Sequence, residues 1–259
     1  MKIAIIGAGN MGGAIARGLA KGTIIKAEDI CVSNPSQAKL DALQQEFPSM
    51  LVTNNNTEAV QGADIVLLAV KPWFIEQVVK ELPLDEEKQM LVSVAAGISF
   101  AQFEEWVGEK MPVFRVIPNT AISQMESMTL IASHHANKEQ ERLLLDIFNE
   151  MGLALLIPEK QVAATTALTS CGIAYVLKYI QAAMQAGIEL GVYPKDAQRM
   201  VAQSVKGAAS LILNNDTHPS VEIDKVTTPG GITIRGINEL DHEGFSSAII
   251  KAMKISCVK

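Results

Sequence analysis

The stretch Thr227-Thr228-Pro229-Gly230-Gly231-Ile232-Thr233 holds the residue types of an anion seat. Pro229 fixes one backbone angle, and Gly230 and Gly231 can take positive φ at little steric cost. Thr233, Gly236, Ile237 and Leu240 follow at helical spacing, so the stretch reads as a tight turn feeding a helix. Such a turn aims successive backbone N–H groups at one place, and the helix N-terminus adds partial positive charge there. The chemistry that fits is capture of a carboxylate or phosphate, with the hydroxyls of Thr227, Thr228 and Thr233 beside it. A Gly-Gly connector before an ordinary helix is the plainer alternative.

A second constellation opens the chain. Residues 2–6 read as a short buried strand, followed by Gly7-Ala8-Gly9-Asn10-Met11-Gly12 and then Ile15, Ala16 and Leu19 on a helical repeat. This is G-x-G-x-x-G between a strand and a helix, the context in which the motif binds a dinucleotide. Gly7 permits the tight turn, Gly9 lets backbone approach a pyrophosphate, and Gly12 lets helix and strand pack closely, with Asn10 and Met11 part of the same cradle. The next strand, Ile30-Cys31-Val32, ends at Ser33-Asn34-Pro35-Ser36. An NAD site places a carboxylate at this strand end to hold the ribose 2′-hydroxyl. Here Ser33, Asn34, Ser36 and Lys39 stand there instead, which suits a 2′-phosphate and favours NADPH, with NADH as an alternative donor. Asn56, in the loop before the next helix, belongs to the same crevice.

These groups need a sheet to position them. Residues 63–70 form a run that is apolar except for Asp64, as central parallel strands read. Ligands in such sheets sit off the carboxyl ends of the strands, so the loops after Val70 and Val94 should line the crevice. They carry Ala69-Val70-Lys71-Pro72 and Ala95-Ala96-Gly97, the latter small enough for a flat ring to lie against. Strands are further expected at 113–117, 129–132 and 154–157, with a helix over 138–151. Pro118-Asn119-Thr120 follows the first of these, and Asn119 has the amide to bond a nicotinamide. The expected architecture is α/β: a Rossmann-type, doubly wound, mostly parallel sheet over 1–158. Residues 159–259 form an all-helical domain, because strand patterns stop after Pro158. Within it, 161–190 is apolar almost all round and rich in Ala and Gly, yet Thr165, Thr166, Thr169, Ser170, Lys178, Gln181 and Gln185 interrupt it. A helix buried between two subunits fits that pattern better than a membrane span.

The C-terminal turn, with Val226, Gly236, Ile237, Leu240 and Asp241 in register, closely resembles the signature of pyrroline-5-carboxylate reductases. Ala-Val-Lys-Pro at 69–72 and Pro-Asn-Thr at 118–120 resemble the same family in the same order. The resemblance implies reduction of 1-pyrroline-5-carboxylate to L-proline by hydride transfer from NADPH or NADH, the last step of proline biosynthesis. It also implies a homodimer or an assembly of dimers. Thr228, Gly230, Gly231 and Ile232 would seat the substrate carboxylate, and Thr233 would be the catalytic hydroxyl, bonded to the ring nitrogen. Several positions depart from the family: Glu222 for an aliphatic residue, Pro35 for an Arg, Ile117 and Ala121 for Met and Pro. The usual Ser-Gly-Ser-Gly-Pro-Ala is replaced by Thr169-Ser170-Cys171-Gly172-Ile173-Ala174. That segment motivates one alternative, a related reductase for another cyclic imine or oxo acid; a non-catalytic NADP-binding redox sensor is the alternative from another class.

Composition narrows the rest. Of 259 residues 48% are hydrophobic and 5% aromatic, so the core is aliphatic. The net charge of −6 and the lack of a basic run argue against nucleic acid and anionic membranes as partners; the resemblance implies a small-molecule substrate instead. Cys31, Cys171 and Cys257 make no CxxC pair, and no signal peptide pattern precedes the glycine turn, so a cytoplasmic location is expected. His134, His135, His218 and His242 show no ligand spacing with Cys or carboxylates along the chain, so no metal is expected.

Overall fold

The computed structural model of the chain describes residues 1–257. It divides into two compact units, Met1–Ser170 and Cys171–Lys259. The first unit is built on one eight-stranded sheet with the order β3-β2-β1-β4-β5-β6-β7-β8. The strands are β1 (Ile3–Ile6), β2 (Ile30–Ser33), β3 (Leu51–Thr53), β4 (Ile65–Leu68), β5 (Met90–Ser93), β6 (Val113–Ile117), β7 (Ser127–His134) and β8 (Gly152–Leu156). Strands β1 to β6 are parallel, β7 runs antiparallel to β6, and β8 is parallel to β7.

Parallel strands covered on both faces must be apolar on both sides, and β1 shows how the chain meets that demand. Ile3 and Ile5 feed one core layer with Ile15, Leu19 and Phe114, while Ala4 and Ile6 feed the other with Val66, Leu68 and Phe103. The covering helices are α1 (Asn10–Lys21), α2 (Gln37–Glu46), α3 (Asn56–Val60), α4 (Ile75–Glu81), α5 (Phe100–Val107) and α6 (Lys138–Asn149). Their starts follow local chemistry. Asn55 Oδ1 accepts from the Thr57 and Glu58 amides to cap α3, and Ser99 with Gln102, and Asn137 with Gln140, form capping boxes on α5 and α6.

The antiparallel β6–β7 pair was not expected from the sequence. Strand β7 also extends beyond 129–132 on both sides, and α6 ends at Asn149 rather than 151. The stretch expected as one helix over 161–190 contains a defect. It comprises α7 (Val162–Thr166), a π-helical turn (Ala167–Cys171) and α8 (Gly172–Glu189). The division between units falls at the end of that π turn.

Among the described residues the second unit contains only helices: α8, α9 (Pro194–Asn215), α10 (Pro219–Val226), α11 (Ile232–His242) and α12 (Phe245–Ser256). Helices α8 and α9 pack on each other, with Gly187 against the Ala197 methyl. The Tyr175 hydroxyl ties α8 to α12 through the Ala252 carbonyl and the Ser256 hydroxyl. In the single chain, Gly172 and Ala197 are the only buried residues among those described in this unit. Leu177, Leu190, Met200, Leu213 and Ile250 are each more than half exposed.

Candidate active site

Strand order reverses direction between β1 and β4, and the loops leaving those two strands start side by side. The Gly7 amide donates to the Ser33 carbonyl (2.7 Å) and the Ala69 amide to the Ile6 carbonyl (2.8 Å). Gly7 has φ +111°, a region open to glycine, and a Cβ there would meet the Ala69 carbonyl oxygen at 2.8 Å. Gly12 works differently. A Cβ on it would overlap the Gly7 carbonyl oxygen and press on the Ala69 methyl at 2.8 Å, so α1 lies against the turn only because that Cβ is missing. A Cβ on Gly9 would meet nothing within 4 Å. Its missing side chain leaves room facing outward, where a ligand backbone can approach. The three glycines thus separate into two that pack and one that opens. Gly12→Ala is expected to cost about 3 kcal/mol or more in stability through overpacking. Gly9→Ala is expected to melt like the parent, its loss showing in nucleotide affinity. Thermal melts and nucleotide titrations of the two variants check the contrast.

A cleft of about 570 Å³ lies against this turn. Gly9, Asn10, Met11 and Lys39 line it, as do Arg17 and Lys21 from α1. Arg17 is held by Glu46 through contacts of 2.7–2.9 Å, and its guanidinium keeps that carboxyl below the ordinary range. Thr120, Ile122 and Ser123 complete the wall from a 3₁₀ turn (Thr120–Gln124) after β6. Sequence reasoning stopped one residue short of this turn, at Asn119; the signal was the Asn-Thr pair after a strand, a turn starter in its own right.

The β2 strand end is arranged otherwise than its residue types implied. The Ser33 hydroxyl is buried and donates to Asn56 Oδ1 (2.6 Å). Asn34 is buried too, its Oδ1 accepting from the Ala8 amide (3.0 Å) and its Nδ2 donating to the Ser36 carbonyl (3.3 Å). These three side chains brace the glycine turn from behind. Ser36 and Lys39 remain at the surface, and Ser36 stands at the N-terminus of α2 without a side-chain cap bond.

Asn119 likewise spends its amide inside the fold. Its Oδ1 accepts from the Ala121 amide (3.0 Å) and its Nδ2 donates to the Thr169 carbonyl (3.3 Å) in the π turn, leaving one amide hydrogen and one lone pair. Pro118 before it is buried. Ala69 and Val70 are half-buried at the β4 end. Lys71 is exposed with its ammonium 6.0 Å from the Trp73 ring, and Pro72 begins a 3₁₀ turn. Ala95 is half-buried, and Ala96 and Gly97 lie exposed after β5.

In the second unit, the Gly231 amide donates to the Thr228 carbonyl (2.9 Å) across Pro229 and Gly230, whose φ is +70°. Proline then positive-φ glycine at the turn centre is the type II pattern. Gly231, expected to share the positive φ, has −67° and is the residue preceding α11. It is glycine for space: a Cβ there would strike Thr228. Ile232 and Thr233 are the first two helical residues, so their amides have no intrahelical acceptor. Both side chains are exposed, and among the described residues the Thr233 hydroxyl has no hydrogen-bond partner.

Comparison with known proteins adds to this geometry. Residues 159–259 match the family profile described as pyrroline-5-carboxylate reductase dimerisation. Residues 2–97 match one described as NADP oxidoreductase, coenzyme F420-dependent. The chain is 36% identical to pyrroline-5-carboxylate reductase 1 of Dictyostelium discoideum, over 99% of this chain but only 49% of that protein's length. It is 37% identical to pyrroline-5-carboxylate reductase 2 of the same organism, over 99% of this chain and 91% of the other. Among solved structures, a pyrroline-5-carboxylate reductase from Coxiella burnetii superposes with a TM-score of 0.91 at 30% identity, covering 99% of this chain and 96% of that one. The Plasmodium falciparum pyrroline carboxylate reductase, solved with NADP bound, gives 0.87 at 28% identity over 99% and 95%.

Proposed function

The chain belongs to the pyrroline-5-carboxylate reductase family, and from that premise we propose that it reduces 1-pyrroline-5-carboxylate to L-proline with NADPH, the final step of proline biosynthesis. The observation that carries the reading is the pair of anion seats: the open Gly9 turn in one unit and the Thr228–Gly231 turn heading α11 in the other.

The cofactor fits the first seat. The missing Cβ of Gly9 leaves room for a pyrophosphate, and Asn10 and Met11 begin α1, whose N-terminus favours negative charge. The 2′-phosphate is assigned to the uncapped N-terminus of α2, with the Ser36 hydroxyl and the Lys39 ammonium beside it. Ser33, Asn34 and Asn56 hold the turn in shape rather than touch the phosphate. Ala69–Pro72, Ala95–Gly97 and Pro118–Asn119 bound the ring end of the crevice. NADPH bound there supplies the hydride. The expected preference over NADH is at most about tenfold, some 1.4 kcal/mol, because one lysine and one hydroxyl hold the phosphate. Ser36→Asp places a carboxylate there and reverses the preference. A kcat/KM comparison with the two nucleotides decides, and a parent enzyme preferring NADH refutes this assignment.

The substrate carboxylate is assigned to the free amides of Ile232 and Thr233, with Thr228 and the two glycines shaping the turn. Reducing C=N leaves an amine, so the ring nitrogen must hold or gain a proton as hydride reaches the neighbouring carbon. A threonine hydroxyl is a poor acid, so Thr233 orients a protonated iminium or relays a proton from water.

The working form is at least a homodimer. A helical unit with two buried residues among those described, and with large exposed apolar side chains, needs a second copy to cover it. Assembly of such dimers into a larger oligomer is a further expectation. No helix among the described residues is long and apolar enough to cross a membrane. A cytoplasmic location is proposed from the three free cysteines Cys31, Cys171 and Cys257, which suit a reducing compartment. Steady-state rates on pyrroline-5-carboxylate and on six-membered cyclic imines test the substrate. Faster turnover of the six-membered ring favours the related-reductase reading, to which the altered 169–173 segment points.

A further inference from the structure

Three side chains that the reaction does not use converge at the far end of the sheet. Glu104 on α5 has Oε2 2.8 Å from His134 Nε2 and 3.6 Å from His135 Nε2. One ligand atom from each residue lies within 4.8 Å of the other two. Consecutive residues of a strand point to opposite faces, so adjacent histidines should diverge. They do not, because His135 leaves β7 with φ +55°, a left-handed conformation uncommon for a non-glycine residue. That turn brings the two imidazoles to 3.9 Å between ring centres and aims both Nε2 atoms at one carboxylate oxygen.

We propose that Glu104, His134 and His135 form a binding site for a divalent transition-metal ion of the zinc type. Two imidazole nitrogens and one carboxylate are a donor set such ions take, with a fourth position left for water. An ion about 2.0–2.2 Å from each ligand needs ligand atoms roughly 3.3–3.5 Å apart, which the observed 2.8 and 3.6 Å bracket. The surroundings keep the carboxylate available. Arg115, the nearby cation, is paired with Glu159 at 2.6 Å, and Glu159 also accepts from the Phe100 amide. Phe100 stacks on His134 at 5.1 Å and holds that ring in place. All three ligands are about one-third exposed, so an ion can enter.

The location sets the role. His134 pairs with Val113, the first residue of β6, so the site lies at the amino ends of the parallel strands. Gly7 and Ala69 follow their carboxyl ends. An ion here staples α5 to the end of β7 and takes no part in hydride transfer. The ligands stand thirty residues apart along the chain, from Glu104 to His134, which is why spacing alone pointed to no metal.

The test uses the full chain stripped with a chelator and then titrated with Zn2+ alone. Calorimetry should give saturable uptake of one ion per chain and a rise in Tm. His135→Gln and Glu104→Gln should each weaken uptake at least about tenfold, with kcat unchanged. His218→Gln and His242→Gln should leave it intact. Co2+ added to the parent chain should give visible absorption bands of mixed nitrogen and oxygen coordination, a readout that needs no variant. No saturable Zn2+ uptake, uptake indifferent to both ligand substitutions, or a featureless Co2+ spectrum overturns the site.

Discussion

Thr233→Ala is expected to lower kcat by about 10- to 100-fold, near 1.4–2.7 kcal/mol of transition-state stabilisation, while NADPH affinity stays unchanged. The size follows from losing one hydrogen bond to a nitrogen that must be charged as hydride arrives. The competing explanation is that Thr233 serves the helix, and it predicts a lower Tm with a normal kcat. The structure leaves that explanation little to act through: Gly231 occupies the position before α11, and Thr233 is exposed with no intrachain bond among the described residues. An exposed side chain of that kind changes stability by about 0.5 kcal/mol at most. Thr233→Ser, which keeps the hydroxyl, should restore most of the rate. Steady-state kinetics beside thermal melts separates the two, and Thr233→Ala with parental kcat removes the hydroxyl from catalysis.

Ala186→Glu should break the assembly. Ala182 and Ala186 lie on one face of α8 with Tyr179, all three exposed in the single chain. Covering that face in a dimer would bury the new carboxylate without a partner, at a cost on the order of 3 kcal/mol or more per site. The helical unit has almost nothing else to hold it, so dissociation and loss of its helices should come together. Light scattering and circular dichroism over a dilution series measure both. A dimer of parental affinity places the interface on another face of the unit.

Much of the first unit was legible because its rules are local. Ile3 to Ile6 and the glycines after it announce strand, turn and helix by residue type alone. Ser99 and Asn137 announce their helices three residues before Gln102 and Gln140 complete the caps. The antiparallel β6–β7 pair was readable but passed over: residues 118–126 are too few for the crossover of a dozen or more that parallel strands need. The π turn was hidden, since Ala167–Cys171 has ordinary helix composition and only the bond between Asn119 and the Thr169 carbonyl exposes it. At the strand end beside the crevice, the polar side chains of Ser33 and Asn34 bond within the chain. Their direction depended on the partners Ala8, Ser36 and Asn56, which no local pattern discloses. The Glu104 cluster needed both a tertiary contact and a left-handed His135, and spacing reports neither.

Direct hydride transfer to a cyclic imine is the centre of the account. The most direct measurement supplies the purified chain with pyrroline-5-carboxylate and NADPH deuterated at the transferring position, then analyses the product by mass spectrometry and NMR. The account predicts L-proline carrying one deuterium on the ring carbon next to nitrogen, formed in equal amount to the NADPH consumed. Tight NADPH binding without any labelled proline would contradict it and leave a nucleotide sensor in its place.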